Sequence, residues 1–362
     1  MSRATGLQIG NRAESVSQAI RRPEGRIDSD GGGCVSTIYD IAQLAGVSPA
    51  TVSRVFNGAR VSEAKAAAVR EAARQLDFTP NRAARTLRRQ SSEVIALVIP
   101  DIENPYFTEI ARGVEDAASK EGYSVVLCNS DSQVEKESTY FRIAIAEKMA
   151  GVIVAAASPR SDLAAITAAG RPVIAVDRVI NFDVDGVVMD NLGAGRAAAG
   201  HLLARHARVA YIGGPEDIET ASDRAEGWRR AHAAAGVPVD PQLLRFQTFD
   251  VEGGRRVMEE LLALPDPPNA VVAGNNLIGV GVIQVLTEHG LTPPAVDVAV
   301  VGSLPFTTLS PRVVTVVRLP ARHMGVTAAR MLLERIRGDQ QPARTVVLRN
   351  ELQPADSGAR PE

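Results

Sequence analysis

The residues best suited to chemistry in this 362-residue chain are polar or aromatic and follow short apolar runs. After the run at 94–99 come Asp101, Glu103, Asn104, Tyr106 and Phe107. After 173–176 come Asp177 and Arg178, and further on stand Asp190, Asn191, Thr220, Asp223, Arg224, Phe249, Asp250, Asn275 and Asn276. Planar amides, carboxylates and guanidinium groups can each bond two neighbouring hydroxyls, and aromatic faces can cover an apolar ring face. The inventory suits binding of a sugar-like molecule. Asp190-Asn191 equally suits a helix cap, and Phe107 equally suits a core. A catalytic set does not emerge. The five histidines, His201, His206, His232, His289 and His323, fall on expected helices or helix ends. Neither a Gly-x-Ser-x-Gly elbow nor a phosphate loop is present, and the glycines at 193 and 195 form only a weak cluster. Cys34 and Cys128 lie far apart without metal-spaced neighbours. An enzyme, a cofactor and a metal are therefore not expected.

These residues need elements to position them. From 93 onward, apolar runs of strand length alternate with helical periodicity, which signals a parallel α/β body with strands covered on both faces. Strands are expected at 94–99, 124–127, 151–155, 173–176, 209–212, 244–248, 270–273, 298–301, 313–317 and 344–348. Helices are expected at 105–121, 134–148, 161–169, 191–205, 222–235, 251–264, 277–289 and 321–337. Two doubly wound lobes of similar size follow. Ligands of open α/β sheets sit beyond the C-terminal strand ends, so the polar residues above would face one another across a cleft.

The stretch at 37–87 has a different character. Ile38, Ile41, Ala42 and Ala45 have helical spacing, and Gly46 breaks the helix. Val47 turns back toward a small core, Ser48 is a suitable N-cap, and Pro49 suits the first helical position. A second helix over 49–56 would stop at Asn57-Gly58, with Pro49, Ala50, Ser53 and Arg54 outward. A third would start at Ser62-Glu63 and run to Leu76. This is helix-turn-helix geometry. Residues 81–88 are too few for a stable isolated helix.

Charge is divided unevenly. Residues 37–90 hold nine Lys/Arg and four Asp/Glu, a net of +5, while residues 91–362 hold 26 and 34, a net of −8. A basic head on an acidic body directs phosphate attraction to the head. No apolar run reaches the ~20 residues of a membrane span. Residues 1–36 have neither periodicity nor the apolar segment of a secretory signal, and are expected to be a disordered extension. A translation start at Val35 is the alternative.

TIYDIAQLAGVSPATVSRVFNG, PNRAARTLRRQSS and IENPYFTEIARGVEDAASKEGY together resemble the lactose-, ribose- and purine-repressor family of bacterial transcription factors, over Thr37 to about Pro354. The resemblance implies a helix-turn-helix domain at 37–80 and a hinge helix and linker at 81–91. It also implies an effector-binding and dimerisation body at 92–354, like periplasmic sugar-binding proteins, and a frayed tail at 355–362. Lobe 1 would comprise about 92–190 and 319–340. Lobe 2 would comprise about 191–318 and 341–354, with crossings near Asp190-Asn191, Arg318 and Gln341. Pro49, Ala50 and Arg54 would reach base edges. Tyr39, Ser48, Thr51, Ser53 and Asn57 would hold the phosphate backbone or neighbouring bases. In the hinge, Ala84 and Leu87 would enter the minor groove, with Asn81, Arg82 and Arg85 beside them on the DNA. Phe107, Arg224, Phe249 and Asp190 match effector-contacting positions. One departure stands out: residues 302–306 read Gly-Ser-Leu-Pro-Phe, where the family shows glycine, an aromatic residue and acids. Asn275-Asn276 also replaces the Asn-Asp common there.

The expected partners are double-stranded operator DNA with a pseudo-palindromic sequence, a sugar or sugar-derived effector, and a second copy of the chain, without a membrane. The expected function is a cytoplasmic, ligand-responsive repressor of a sugar operon, pentose- or ribose-like. Sensing of a nucleoside or a protein corepressor is one alternative, and a solute-binding protein for transport is another.

Overall fold

The computed structural model describes residues 36–56, 59–78, 92–304 and 313–355. Chain contacts divide it into a head, up to Asn81, and a body from Arg82 onward. Asn57, Asn81, Arg82, Ala84, Arg85 and Leu87 lie outside the described residues, as do the N-terminal extension and most of the final tail.

The head contains α1 (Ile38–Leu44), α2 (Pro49–Phe56) and α3 (Glu63–Gln75). Thr37 and Asp40 form a reciprocal capping box that satisfies the first free N–H groups of α1. Gly46 takes φ +64°, the left-handed conformation that lets α1 stop and α2 start at an angle. Ile41, Val52 and Val69, one from each helix, are fully buried together, with Val47, Val55 and Phe56 packed around them. The Ser36 hydroxyl donates to the Leu76 carbonyl at 2.8 Å and ties the two ends of the head.

The body begins with β1 (Val94–Ile99), α4 (Pro105–Ala118), β2 (Ser124–Asn129), α5 (Val134–Ala146), β3 (Gly151–Val154), α6 (Ala164–Ala168), β4 (Val173–Asp177) and β5 (Asp185–Met189). It continues with α7 (Asn191–Leu203), β6 (Val209–Gly213), α8 (Glu219–Ala235), β7 (Leu244–Phe246), α9 (Val251–Leu262), β8 (Ala270–Ala273), α10 (Asn276–Glu288) and β9 (Asp297–Val301). Last come β10 (Thr315–Arg318), α11 (Ala321–Ile336), β11 (Thr345–Leu348) and β12 (Glu351–Gln353). Two six-stranded sheets result, ordered β11-β5-β4-β3-β1-β2 and β12-β10-β9-β8-β6-β7. Every described pairing is parallel except β10 with β12. β1, β3, β4 and β6 are almost wholly buried, as continuous apolar runs require when helices cover both faces.

Two strands, β5 and β12, were not expected from the sequence, and one expected crossing moves. Residues 345–348 pair with β5 in the first sheet, so residues 341–348 do not belong to lobe 2. The chain crosses at Arg349-Asn350 instead of near Gln341. The cause is an ion pair. Arg335, in the last turn of α11, binds both oxygens of buried Asp185 at 2.7 and 2.9 Å. It also bonds the carbonyls of Gln341 and Pro342. The Arg344 N–H donates to the same carboxylate at 2.8 Å, which fixes the start of β11 beside β5. The other two crossings fall at Asp190 and at Leu319-Pro320. Asn350 Nδ2 donates to the Asp190 carbonyl at 2.8 Å, linking the first crossing to the last.

Candidate functional site

The strand ends of the two sheets enclose a cleft of about 550 Å³. Ten of the twelve anticipated ligand residues line it: Asn104, Tyr106, Phe107, Asp177, Arg178, Thr220, Arg224, Phe249, Asn275 and Asn276.

The first lobe supplies a fixed polar cluster. Asn104 caps α4 by accepting from the Tyr106 N–H at 3.1 Å, which turns Tyr106 and Phe107 into the cleft. Their rings meet edge-on at 5.1 Å. The Tyr106 hydroxyl donates to Asp177 at 2.8 Å, and Arg178 grips the other carboxylate oxygen at 3.0 and 3.2 Å. Burial, reinforced by the Asp177 charge, pushes the Tyr106 phenol well above its ordinary range, so it stays a donor. Asp177 holds φ +72°, a strained conformation for a residue with a side chain. Phe107 is 94% covered: it lines the cleft and is also part of the core.

The second lobe supplies Arg224 from α8. Only 4% exposed, its guanidinium donates to Asn191 Oδ1 at 2.9 Å and to the Gly274 carbonyl at 2.8 Å, both neutral acceptors. Phe249 covers Gly214 so closely that a Cβ there would lie 2.2 Å from the ring. Asn275 caps α10 through the Ile278 N–H at 2.8 Å.

Asp190 and Asn191 are the two expected ligand residues absent from the lining. Asp190 is the N-cap of α7, accepting from the Gly193 N–H at 2.7 Å. Asn191 is buried behind the wall, where it holds Arg224. The structure also brings Asp131, Ser132, Ser158, Arg160, Asp217 and Thr248 to the cleft. The first four follow β2 and β3 as the expected residues follow β1 and β4, so the same signal in the sequence marks them. Of the divergent 302–306 loop, Gly302 lines the cleft, while Pro305 and Phe306 lie outside the described residues.

In the head, the outer face of α2 presents Pro49, Ala50 and Arg54 to solvent, with Thr51 and Ser53 half-buried beside them. Tyr39 on α1 is 74% exposed, unusual for an aromatic residue with a core available. Ser48 uses its hydroxyl to cap α2 through the Thr51 N–H at 3.3 Å. Among the described residues no group of His, Cys, Asp and Glu could hold a metal ion, and no helix is long and apolar enough to cross a membrane.

A helix-turn-helix unit on the same chain as a two-lobed, cleft-bearing α/β body defines a class, the ligand-binding transcription regulators that read DNA. Within it, the chain belongs to the LacI family of bacterial regulatory proteins. Residues 37–81 match the model of the bacterial regulatory proteins of the lacI family. Residues 92–354 match that of the periplasmic binding proteins and sugar binding domain of the LacI family. The chain is 32% identical over 307 residues to the ribose operon repressor of Halalkalibacterium halodurans, covering 83% of this chain and 91% of that protein. It is 33% identical to the HTH-type transcriptional regulator RegA of Clostridium saccharobutylicum, covering 88% and 97%. Among solved structures it is similar to a complex of the transcriptional regulator CelR with cellobiose, at 31% identity and TM-score 0.67, over 89% of this chain and 100% of that one. The head match sets aside the transport-protein alternative.

Proposed function

We propose that this regulator is a sugar-responsive repressor of a sugar-utilisation operon, acting in the cytoplasm as a dimer on a pseudo-palindromic operator. The observation that carries the reading is the cleft. It gathers amide, hydroxyl, carboxylate, guanidinium and aromatic groups from both lobes, as hydroxyl-rich ligands require. Pro49, Ala50 and Arg54 read base edges, Arg54 favouring guanine. Tyr39, Ser48, Thr51, Ser53 and Asn57 hold the backbone, and the 81–91 segment enters the minor groove through Ala84 and Leu87. The chain does not act as an enzyme in this reading. The relative named a ribose operon repressor and the cellobiose-bound structure support a sugar as effector. A sugar bridging the lobes alters their relative orientation, and a coupling of about 1–3 kcal/mol changes operator affinity roughly 5–150-fold.

The test is a gel shift with DNA of the neighbouring promoter, with and without sugars. Binding should be lost in Arg54→Ala while calorimetric sugar affinity is retained. Undiminished promoter binding by Arg54→Ala and Leu87→Ala combined would refute the assignment.

A further inference from the structure

Two hydrogen bonds run from lobe to lobe within the body. The Val179 N–H donates to Glu219 at 3.2 Å, and Asn276 Nδ2 donates to Asn104 Oδ1 at 3.0 Å. The first is exposed, where water competes for both groups. The second is sealed, with Asn104 6% exposed and Asn276 5%. A buried polar group that loses its partner suffers the full cost of desolvation, so the sealed bond holds the lobes more firmly than the exposed one.

The direction of the sealed bond is set by the fold. An asparagine amide can present its oxygen or its nitrogen, and only its neighbours decide which. Asn104 is the N-cap of α4, and its Oδ1 already accepts from the Tyr106 N–H at 3.1 Å. Turning its nitrogen forward would forfeit the cap. Whatever stands at 276 must therefore bring a donor. Asn276, the first residue of α10, does so. The aspartate common in the family at this place has no proton to offer when ionised. The crevice beside Asn276, bounded by Tyr106, Glu109, Ser303 and Leu319, holds about 10 Å³, at the limit of what one water needs. Water has little room to replace the donor while the lobes stay together. We propose that Asn276 is an interlobe latch: its amide N–H, received by the Asn104 cap, holds lobe 2 on lobe 1 through the chain's own atoms, whichever molecule the cleft takes. Entry to the cleft then waits on the breaking of this bond, and a ligand shifts the lobe arrangement only by what it adds to or removes from the latch.

The experiment measures lobe separation by electron–electron double resonance on the full chain with no small molecule added. Spin labels are attached through Glu135→Cys and Glu252→Cys, both exposed, in the first turns of α5 and α9, one on each lobe. Cys34 and Cys128 are replaced by alanine, and labelled chain is diluted with unlabelled chain so that only distances within one chain are read. Asn276→Asp keeps the size of the side chain and removes the donor. An acid in the first turn favours the helix, so folding is not threatened. Asn104→Asp keeps both acceptor roles and caps α4 as well as asparagine does. A single distance is expected for the parent and for Asn104→Asp. Asn276→Asp and Asn276→Ala should each add a longer distance and lower the closed-to-open ratio about tenfold, the scale of one buried hydrogen bond. Two comparably populated distances in the parent, a distribution unchanged in both Asn276 variants, or opening by Asn104→Asp as large as by Asn276→Asp would each overturn the proposal. Neither sugar nor DNA enters the measurement, so its failure leaves the sugar-responsive reading standing.

Discussion

Arg224 is a cation almost sealed from water, and its two described acceptors are neutral. Such a group is costly to bury unless its donors are satisfied, so Asn191 matters although it never meets the cleft. Asn191→Ala should lower effector affinity by about 1–2 kcal/mol through a misplaced guanidinium, measured by titration calorimetry, with operator affinity in the absence of effector retained. Asp190-Asn191 shows where reading by residue type stops. A polar pair after a strand suits ligand binding and helix capping equally, and the bonds to the Gly193 N–H and the Arg224 guanidinium appear only once the chain is folded. A second residue-level expectation concerns acid. Burial works to raise the Asp185 carboxyl, but the bonds from Arg335 and Arg344 and their charges outweigh it and hold it below its ordinary 3.8. A folded value below the unfolded one gives stability that is present above the ordinary carboxylate range and lost as pH falls through the folded value. Asp185→Leu should therefore cost about 3 kcal/mol at neutral pH, and the gap from the parent should close as unfolding is measured at progressively lower pH.

At the level of elements, three helix pairs are set by glycines that leave no space for a side chain. A Cβ on Gly195 of α7 would lie 2.0 Å from the Arg224 carbonyl, and one on Gly227 of α8 would lie 2.2 Å from that of Leu192. Gly113 of α4 and Gly325 of α11 approach each other's helices in the same way, at 2.1 Å in both cases, as do Gly254 of α9 and Gly281 of α10 at 2.5 and 2.2 Å. Gly195→Ala should force α7 from α8, cost about 1–3 kcal/mol in urea unfolding, and weaken effector binding because Arg224 moves with its carbonyl. In the sequence Gly193 and Gly195 were only a weak cluster, since nothing local announces which helix will lie across them. Strands and helices themselves were largely legible, because apolar period follows from burial. β5 and β12 escaped for physical reasons. β5 carries a glycine and begins with an acid that is neutralised chiefly by Arg335, 150 residues away, with Arg344 beside it. β12 is a three-residue edge strand, with Glu351 and Gln353 exposed.

Across the whole molecule, the basic head and acidic body give a polarity that the net charge of −2 conceals. If phosphate contacts drive the proposed DNA binding, operator affinity should fall steeply with salt, by about 0.9 log units per contact for each tenfold rise. Fluorescence anisotropy at graded KCl would measure this. Arg54→Ala should relax base preference as well as weaken binding, whereas Tyr39→Phe should weaken binding alike on all sequences.

The late residues have one more consequence. β11 is the outermost strand on one side of the first sheet, and β12, two residues later, is the outermost on one side of the second. Neither half of the body is therefore finished until residues 345–353 have been translated. A nascent chain halted at position 340 would leave β5 and β10, which the whole fold keeps paired, as bare borders at once, each a template for another strand. For this fold, quality control during synthesis turns on the emergence of these two short strands.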